Sequence, residues 1–137
     1  MSTFYETITL TNAGDIAKAR DGFIPKAKIR AVTVDACVDS GAWNLVINEE
    51  VRAKLGLELN GVRLSTLADG TTKEYAMTEP VVFRWKNREF ALPAQLVPTA
   101  VAVLFGALPM ESLDVMPDPV AECLIGRHGD EPLHQIY

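Results

Sequence analysis

Short apolar runs, alternating or continuous and broken at regular intervals by Gly, Pro, Asn and Asp, dominate this chain and predict strands rather than long helices. Thr7-Ile8-Thr9-Leu10 alternates polar and apolar side chains as a half-buried strand does, and Asn12-Ala13-Gly14-Asp15 reads as its turn. Residues 29–35 lead into the buried run Ala36-Cys37-Val38, and Leu45-Val46-Ile47 forms another buried strand. A helix follows. Asn48 is placed to cap it, Glu49 and Glu50 favour its positive end, Val51 and Leu55 share a face, and Gly56 can take the closing position. Glu50 and Lys54 add an i,i+4 ion pair.

Residues 62–68 and 71–77 read as two strands around Asp69-Gly70, a tight hairpin signal. Residues 81–85 and 89–92 form a second hairpin that turns at Lys86-Asn87-Arg88. Pro93 and Pro98 bracket residues 94–97, which suits an edge strand, because proline cannot donate to a ladder. A short helix is expected over 108–113 and a last strand over 120–125. The expected organisation is one mainly β domain over residues 1–125 with one or two short helices. A flexible, solvated tail is expected over 126–137.

A length of 137 residues allows one well-buried domain and is too short for two. The longest apolar run, near residues 101–108, falls well below the ~18 residues of a membrane helix, so no membrane partner is expected. The first residues, Met1-Ser2-Thr3-Phe4-Tyr5-Glu6, have neither a basic nor an apolar leader region, and the expected location is cytoplasmic. A net charge of −5 without a dense Lys/Arg stripe argues against nucleic acid as the main partner. Cys37 and Cys123 make no disulfide framework and read as reduced, buried thiols. His128 and His134 lack Cys or carboxylate neighbours at ligand spacing, so no metal site is expected, nor any cofactor. There is no internal repeat or low-complexity tract.

The chemistry concentrates in Val38-Asp39-Ser40-Gly41-Ala42, which closes the buried strand before it. A strand ending in Asp-Ser-Gly can hold a carboxylate rigidly at the mouth of a cleft. Gly41 lets the backbone turn back, and the Ser40 hydroxyl can bond to a partner backbone. Downstream, Val101-Ala102-Val103-Leu104-Phe105 runs into Gly106, a second hydrophobic-hydrophobic-Gly element. With Leu55-Gly56-Leu57, Ala68-Asp69-Gly70 and Leu104-Phe105-Gly106-Ala107-Leu108 in order, the chain resembles the bacterial clan AA group of single-domain retropepsin-like aspartic proteases from about Tyr5 to Pro119. Asp-Ser-Gly alone is a weak signal; four elements in order and spacing are specific.

The resemblance implies a closed β-barrel, one half of an acid protease, that acts on a peptide or protein substrate with Asp39 as its catalytic carboxylate. The chemistry needs two carboxylates sharing one proton, and the chain has one Asp-(Thr/Ser)-Gly, so the second must come from another copy in a homodimer. Ser40 would reach the partner's turn and lock the two loops together, with Gly41 completing the turn. Ala42 and Trp43 would border the substrate, and Asp69, Gly70 and Thr71 would lie near the tip of a flap. Gly106 would let its strand pack closely behind the Asp39 turn. The chain departs from retroviral members, which often hold a carboxylate and an arginine where Trp43 and Ala107 stand. Both halves of that ion pair are apolar here, so no charge is stranded.

Other readings stand beside these. Trp43 is either an apolar pocket wall or simply packed in the core, and Asp69-Gly70 is either a flap or only a hairpin turn. Glu49, Glu50 and Glu58 read as solvated faces. A serine-protease reading of Asp-Ser-Gly fails because Val38 and Ala42 replace that motif's outer glycines, both histidines follow Ser40, and the chain cannot form two barrels. The remaining alternative is a retropepsin fold kept as a non-catalytic peptide-binding or dimerisation module.

Overall fold

Asn12 ends the first strand and caps the first helix at once. In the computed structural model, which describes residues 3–133, β1 (Phe4–Asn12) buries Phe4, Ile8 and Leu10 on one face. The Asn12 side chain accepts from the Asp15 amide at 3.0 Å and donates to the Leu55 carbonyl at 2.8 Å. The expected turn at residues 12–15 is therefore the start of α1 (Ala13–Arg20). Buried Asp15 accepts from the Arg30 amide, Nε and Nη2 at 3.0, 2.8 and 3.0 Å, which ties this helix to the chain entering β2 (Ala31–Val38). Turn-forming residues hid the helix, because their side chains satisfy its first turn instead of ending it.

β2 is half-buried at first and wholly buried over its last three residues. The change falls where a two-residue strand, Leu104–Phe105, pairs parallel to Cys37 and Val38. β3 (Leu45–Ile47) leads to α2 (Glu49–Leu55), built as its sequence predicts. The Asn48 side chain accepts from the Val51 amide at 2.9 Å, and Gly56 closes the helix at φ +62°.

β4 (Leu59–Thr66), β5 (Thr72–Trp85) and β6 (Arg88–Leu96) follow. The runs expected as strands 71–77 and 81–85 form one long β5, with an irregular step in its pairing between Met77 and Pro80. Residues 94–97 do not form an edge. Gln95 and Leu96 pair with Val46 and Ile47 on one side, and Gln95 pairs with Met77 on the other. Pro93 is accommodated because its partner across the ladder is Pro80, at the irregular step, where two missing donors face each other.

β7 (Leu104–Phe105) runs into α3 (Ala107–Ser112), then β8 (Val115–Asp118) and β9 (Cys123–Gly126), which pair with each other. The last strand is thus shifted from the expected 120–125, β8 is an additional strand, and the α-helices number three among the described residues. The main sheet runs β1-β2-β7-β3-β6-β5-β4, and β1 also pairs with β5, closing a barrel with β4 hung outside it. Ile8, Leu10, Leu45, Ile47, Leu55, Val81, Phe83 and Phe105 fill the core, each at about 1.5–3 kcal/mol of burial. The rings of Phe83 and Phe105 meet edge to face at 5.7 Å.

Beyond β9 the chain returns to a buried pair. Arg88 donates from Nη1 to the Leu113 and Asp114 carbonyls at 3.0 and 2.7 Å and from Nη2 to the Gly129 carbonyl. The Asp114 carboxylate meets His128 Nδ1 at 2.8 Å and accepts from the Leu133 amide at 2.9 Å. Burial pulls the Asp114 carboxyl up, but the Leu133 amide, His128 and Arg88 outweigh it and hold it below its ordinary range. Residues 127–133 are therefore bonded back onto the domain, and His134 lies outside the described residues. No helix among the described residues is long and apolar enough to cross a membrane.

Candidate active site

The β2–β7 ladder continues one bond past the end of β2: the Asp39 amide donates to the Phe105 carbonyl at 3.1 Å. This fixes the half-buried Asp39 at the rim of the barrel. The turn then closes on itself. The Ala42 amide donates to the Asp39 carbonyl at 3.1 Å, and the Gly41 amide to Asp39 Oδ1 at 2.9 Å. Ser40 and Gly41 are exposed. A Cβ on Gly41 would stand 3.1 Å from Asp39 Oδ1, so glycine leaves room for the carboxylate.

Gly106 sits directly behind this turn. A Cβ there would lie 2.5 Å from the Asn44 carbonyl oxygen, 2.7 Å from that of Ala42 and 2.8 Å from the Trp43 carbonyl carbon. No side chain fits between the two backbones. The next two amides, Ala107 and Leu108, donate to the Ala42 and Trp43 carbonyls at 2.8 and 2.9 Å. The second hydrophobic-hydrophobic-Gly element thereby grips the first from behind.

Two recesses flank the turn. On one side Thr3, Phe4, Val38, Asp39, Ser40, Pro117 and Pro119 enclose about 150 Å³ of mostly apolar space. On the other, a groove of about 470 Å³ runs from Gly41, Ala42, Trp43 and Asn44 under the β4–β5 hairpin, past Arg63, Ser65, Leu67, Tyr75 and Gln95 to Val97 and Leu104. Trp43 is 52% exposed and lines this groove, so it is a wall and not core.

Asp69, Gly70 and Thr71 stand apart from the groove lining, at the hairpin tip. Asp69 Oδ1 accepts from the Thr71 amide at 3.0 Å and from its hydroxyl at 2.6 Å. The Thr71 hydroxyl holds the Asp69 carboxyl below its ordinary range. Gly70, at φ +86°, makes the reversal possible. These residues build the tip; the strands behind it supply the groove. Sequence reasoning missed Asn44, Arg63, Tyr75 and Gln95. Gln95 offered a signal, as the one polar residue inside Ala94-Gln95-Leu96-Val97. Its Oε1 accepts from Asn44 Nδ2 at 2.8 Å and its Nε2 donates to Ser65 at 2.9 Å, joining the floor to the hairpin.

Cys37 is buried, Cys123 is partly buried, and both are free thiols. Among the described residues no three His, Cys, Asp or Glu side chains are grouped to hold a metal ion.

A closed barrel carrying an Asp-Ser-Gly turn with a glycine-ended strand behind it is the architecture of a retropepsin-like half. Residues 26–127 match the aspartyl protease family model, and the chain belongs to that family. The fold is similar to the retroviral protease-like domain of Ddi1 from Leishmania major, with 17% identity over 96% of this chain and 90% of that one and a TM-score of 0.54. A retropepsin-like aspartic protease from Rickettsia conorii is also similar, with 22% identity over 85% of this chain and 88% of that one and a TM-score of 0.48. No curated protein matches the chain.

Proposed function

We propose that this protein is an aspartic endopeptidase whose dyad is formed by two Asp39 side chains, one from each subunit of a homodimer. The observation that carries the reading is the Asp39 turn itself: a half-buried carboxylate oriented by the Gly41 amide, on a turn gripped from behind at Gly106 and bordering a peptide-sized groove. The chain supplies one such turn. Two like charges about 3 Å apart cannot both ionise, so the pair holds one proton. The ionised Asp39 takes a proton from water as its oxygen attacks the peptide carbonyl carbon. The protonated Asp39 gives its proton to the carbonyl oxygen. Collapse of the tetrahedral species breaks the C–N bond as the Asp39 that took the water's proton passes it to the leaving nitrogen. The other Asp39 recovers a proton from the collapsing hydroxyl, which restores the shared proton.

Exposed apolar residues support the reading of a second subunit. Tyr5 on β1, Val120 in the β8–β9 turn and Ile125 on β9 are exposed apolar residues, and Glu6 Oε2 accepts from the Leu124 amide at 2.6 Å, setting β1 beside β9. The apolar recess between Phe4, Pro117 and Pro119 adjoins Asp39 on the same side. Terminal strands of a partner laid here would bring its own Asp39 turn up to this one. The test is cleavage of an unstructured protein such as casein across about pH 4–7, with Asp39→Asn as control. Hydrolysis that disappears in the variant supports the dyad. Binding without hydrolysis in the native protein would leave a peptide-binding module.

A further inference from the structure

The groove face of the β4–β5 hairpin carries positive charge in a protein whose net charge is −5. Arg63 pairs across the hairpin with Tyr75, and Ser65 with Lys73, so these four residues share one face. Arg63, Ser65 and Tyr75 line the groove, and Lys73 Nζ sits 5.3 Å from the centre of the Tyr75 ring. Glu74 pairs with Leu64 on the opposite face. Among the described residues no carboxylate lines the groove.

Arg63 is held in place by a relay with one direction. Gln95 Nε2 donates to Ser65 and its Oε1 accepts from Asn44 Nδ2, the direction that a donor-only guanidinium at the far end requires. The Asn44 amide is thereby turned so that its Oδ1 faces Arg63 Nη1, at 3.4 Å. Asn44 and Gln95 are both buried, so this orientation is set by the floor and not by solvent. A guanidinium has five N–H donors, and Arg63 commits one of them to Asn44 at long distance. Among the described residues it makes no ion pair.

Resting on the protease reading above, we propose that Arg63 is a specificity-determining residue that selects peptides bearing an Asp or Glu side chain next to the apolar residue seated against Trp43. A carboxylate entering the groove meets a planar fork aimed by Asn44, with Lys73 on the same face to favour negative charge. Trp43, Leu67 and Val97 supply the apolar contact beside it.

Binding separates this inference from catalysis. Fluorescein-labelled peptides differing only in Glu, Gln or Lys at one position are titrated into Asp39→Asn protein near neutral pH. The Glu peptide should bind about tenfold more tightly than Gln, and Lys more weakly still, with the difference shrinking at high salt. Arg63→Glu should reverse the order, which general destabilisation would not do. Asn44→Ala should narrow the ratio between Glu and Gln affinities, because the fork loses the oxygen that aims it. Lowering the pH below about 4, where a Glu side chain gains its proton, should abolish the preference. Equal affinity for all three peptides, or an unchanged order in Arg63→Glu, overturns the assignment. Charge-selective binding without cleavage by the native protein would leave Arg63's role standing and remove the endopeptidase reading instead.

Discussion

The Leu108 amide donates to the Trp43 carbonyl at 2.9 Å, one of two parallel backbone bonds that clamp the Asp39 turn from behind. Trp43 and Ala107 carry no charge, so backbone joins the two segments here, and it can do so because Gly106 has no side chain.

Gly106→Ala and Gly41→Ala should therefore fail differently. At Gly106 the new Cβ meets backbone atoms at 2.5–2.8 Å, so the strands must separate at a cost of about 1–3 kcal/mol. Thermal unfolding should show a drop of several degrees together with lost activity. At Gly41 the neighbour is the movable Asp39 carboxylate, so stability should hold while hydrolysis falls. Equal melting temperatures for native protein and Gly106→Ala would contradict the clamp.

Asp39→Asn should remove hydrolysis and keep the fold. The amide oxygen can still accept from the Gly41 amide, but the group cannot act as a base. Excess Asp39→Asn subunits should poison the native protein by forming mixed dimers with a broken dyad. A mixture whose activity matches native protein alone would refute subunit sharing.

Specific activity should rise with protein concentration and plateau once dimers dominate. If the Ser40 hydroxyl bonds across the dimer, Ser40→Ala loses about 1 kcal/mol at each of the two turns. The activity curve should then move to higher concentration with the plateau retained. Sedimentation run beside the assay decides the point: full specific activity where only monomer sediments would exclude the half-site arrangement.

Acid should loosen the α1 corner. The Arg30 side chain, bonded to Asp15, is the main cause that holds its carboxyl below the usual range. A carboxyl depressed by folding stabilises the native state above its unfolded pKa of about 3.9 and loses that contribution as pH falls through the folded value. Asp15→Asn should thus cost about 1–2 kcal/mol near neutral pH, Arg30 being half-exposed. Urea unfolding should show that difference narrowing in strong acid. A gap that is constant with pH would mean the charge contributes nothing.

The parts legible in the sequence were those encoded by neighbours. Asn48 and Gly56 bound α2 from both ends, and Asp39, Gly41 and Gly106 announced the turn and its clamp. What escaped depended on partners distant in the chain. Pro93 marks an edge strand until Pro80 is found opposite it, and Asn12-Ala13-Gly14-Asp15 is a turn until Arg30 and Leu55 receive its side chains. The groove escaped for the same reason: Asn44, Arg63 and Gln95 come from three separate segments and acquire meaning only as a relay. Asp69, Gly70 and Thr71 form the tip of the β4–β5 hairpin, yet the side chains facing the groove come from the strands behind it.

The Pro80–Pro93 step divides β5 into two mechanical regimes. Inside it, residues 81–84 are ladder-bonded to both β1 and β6; outside it, residues 72–76 pair with β4 alone. The hairpin is a lever hinged on a pair of rings that exchange no ladder bond, so lifting it costs the Gln95–Ser65 and Asn44–Arg63 side-chain bonds to the floor and leaves the ladder at 81–84 in place. Amide hydrogens at 72–76 should then exchange with solvent far sooner than those at 81–84, though both lie on one unbroken strand.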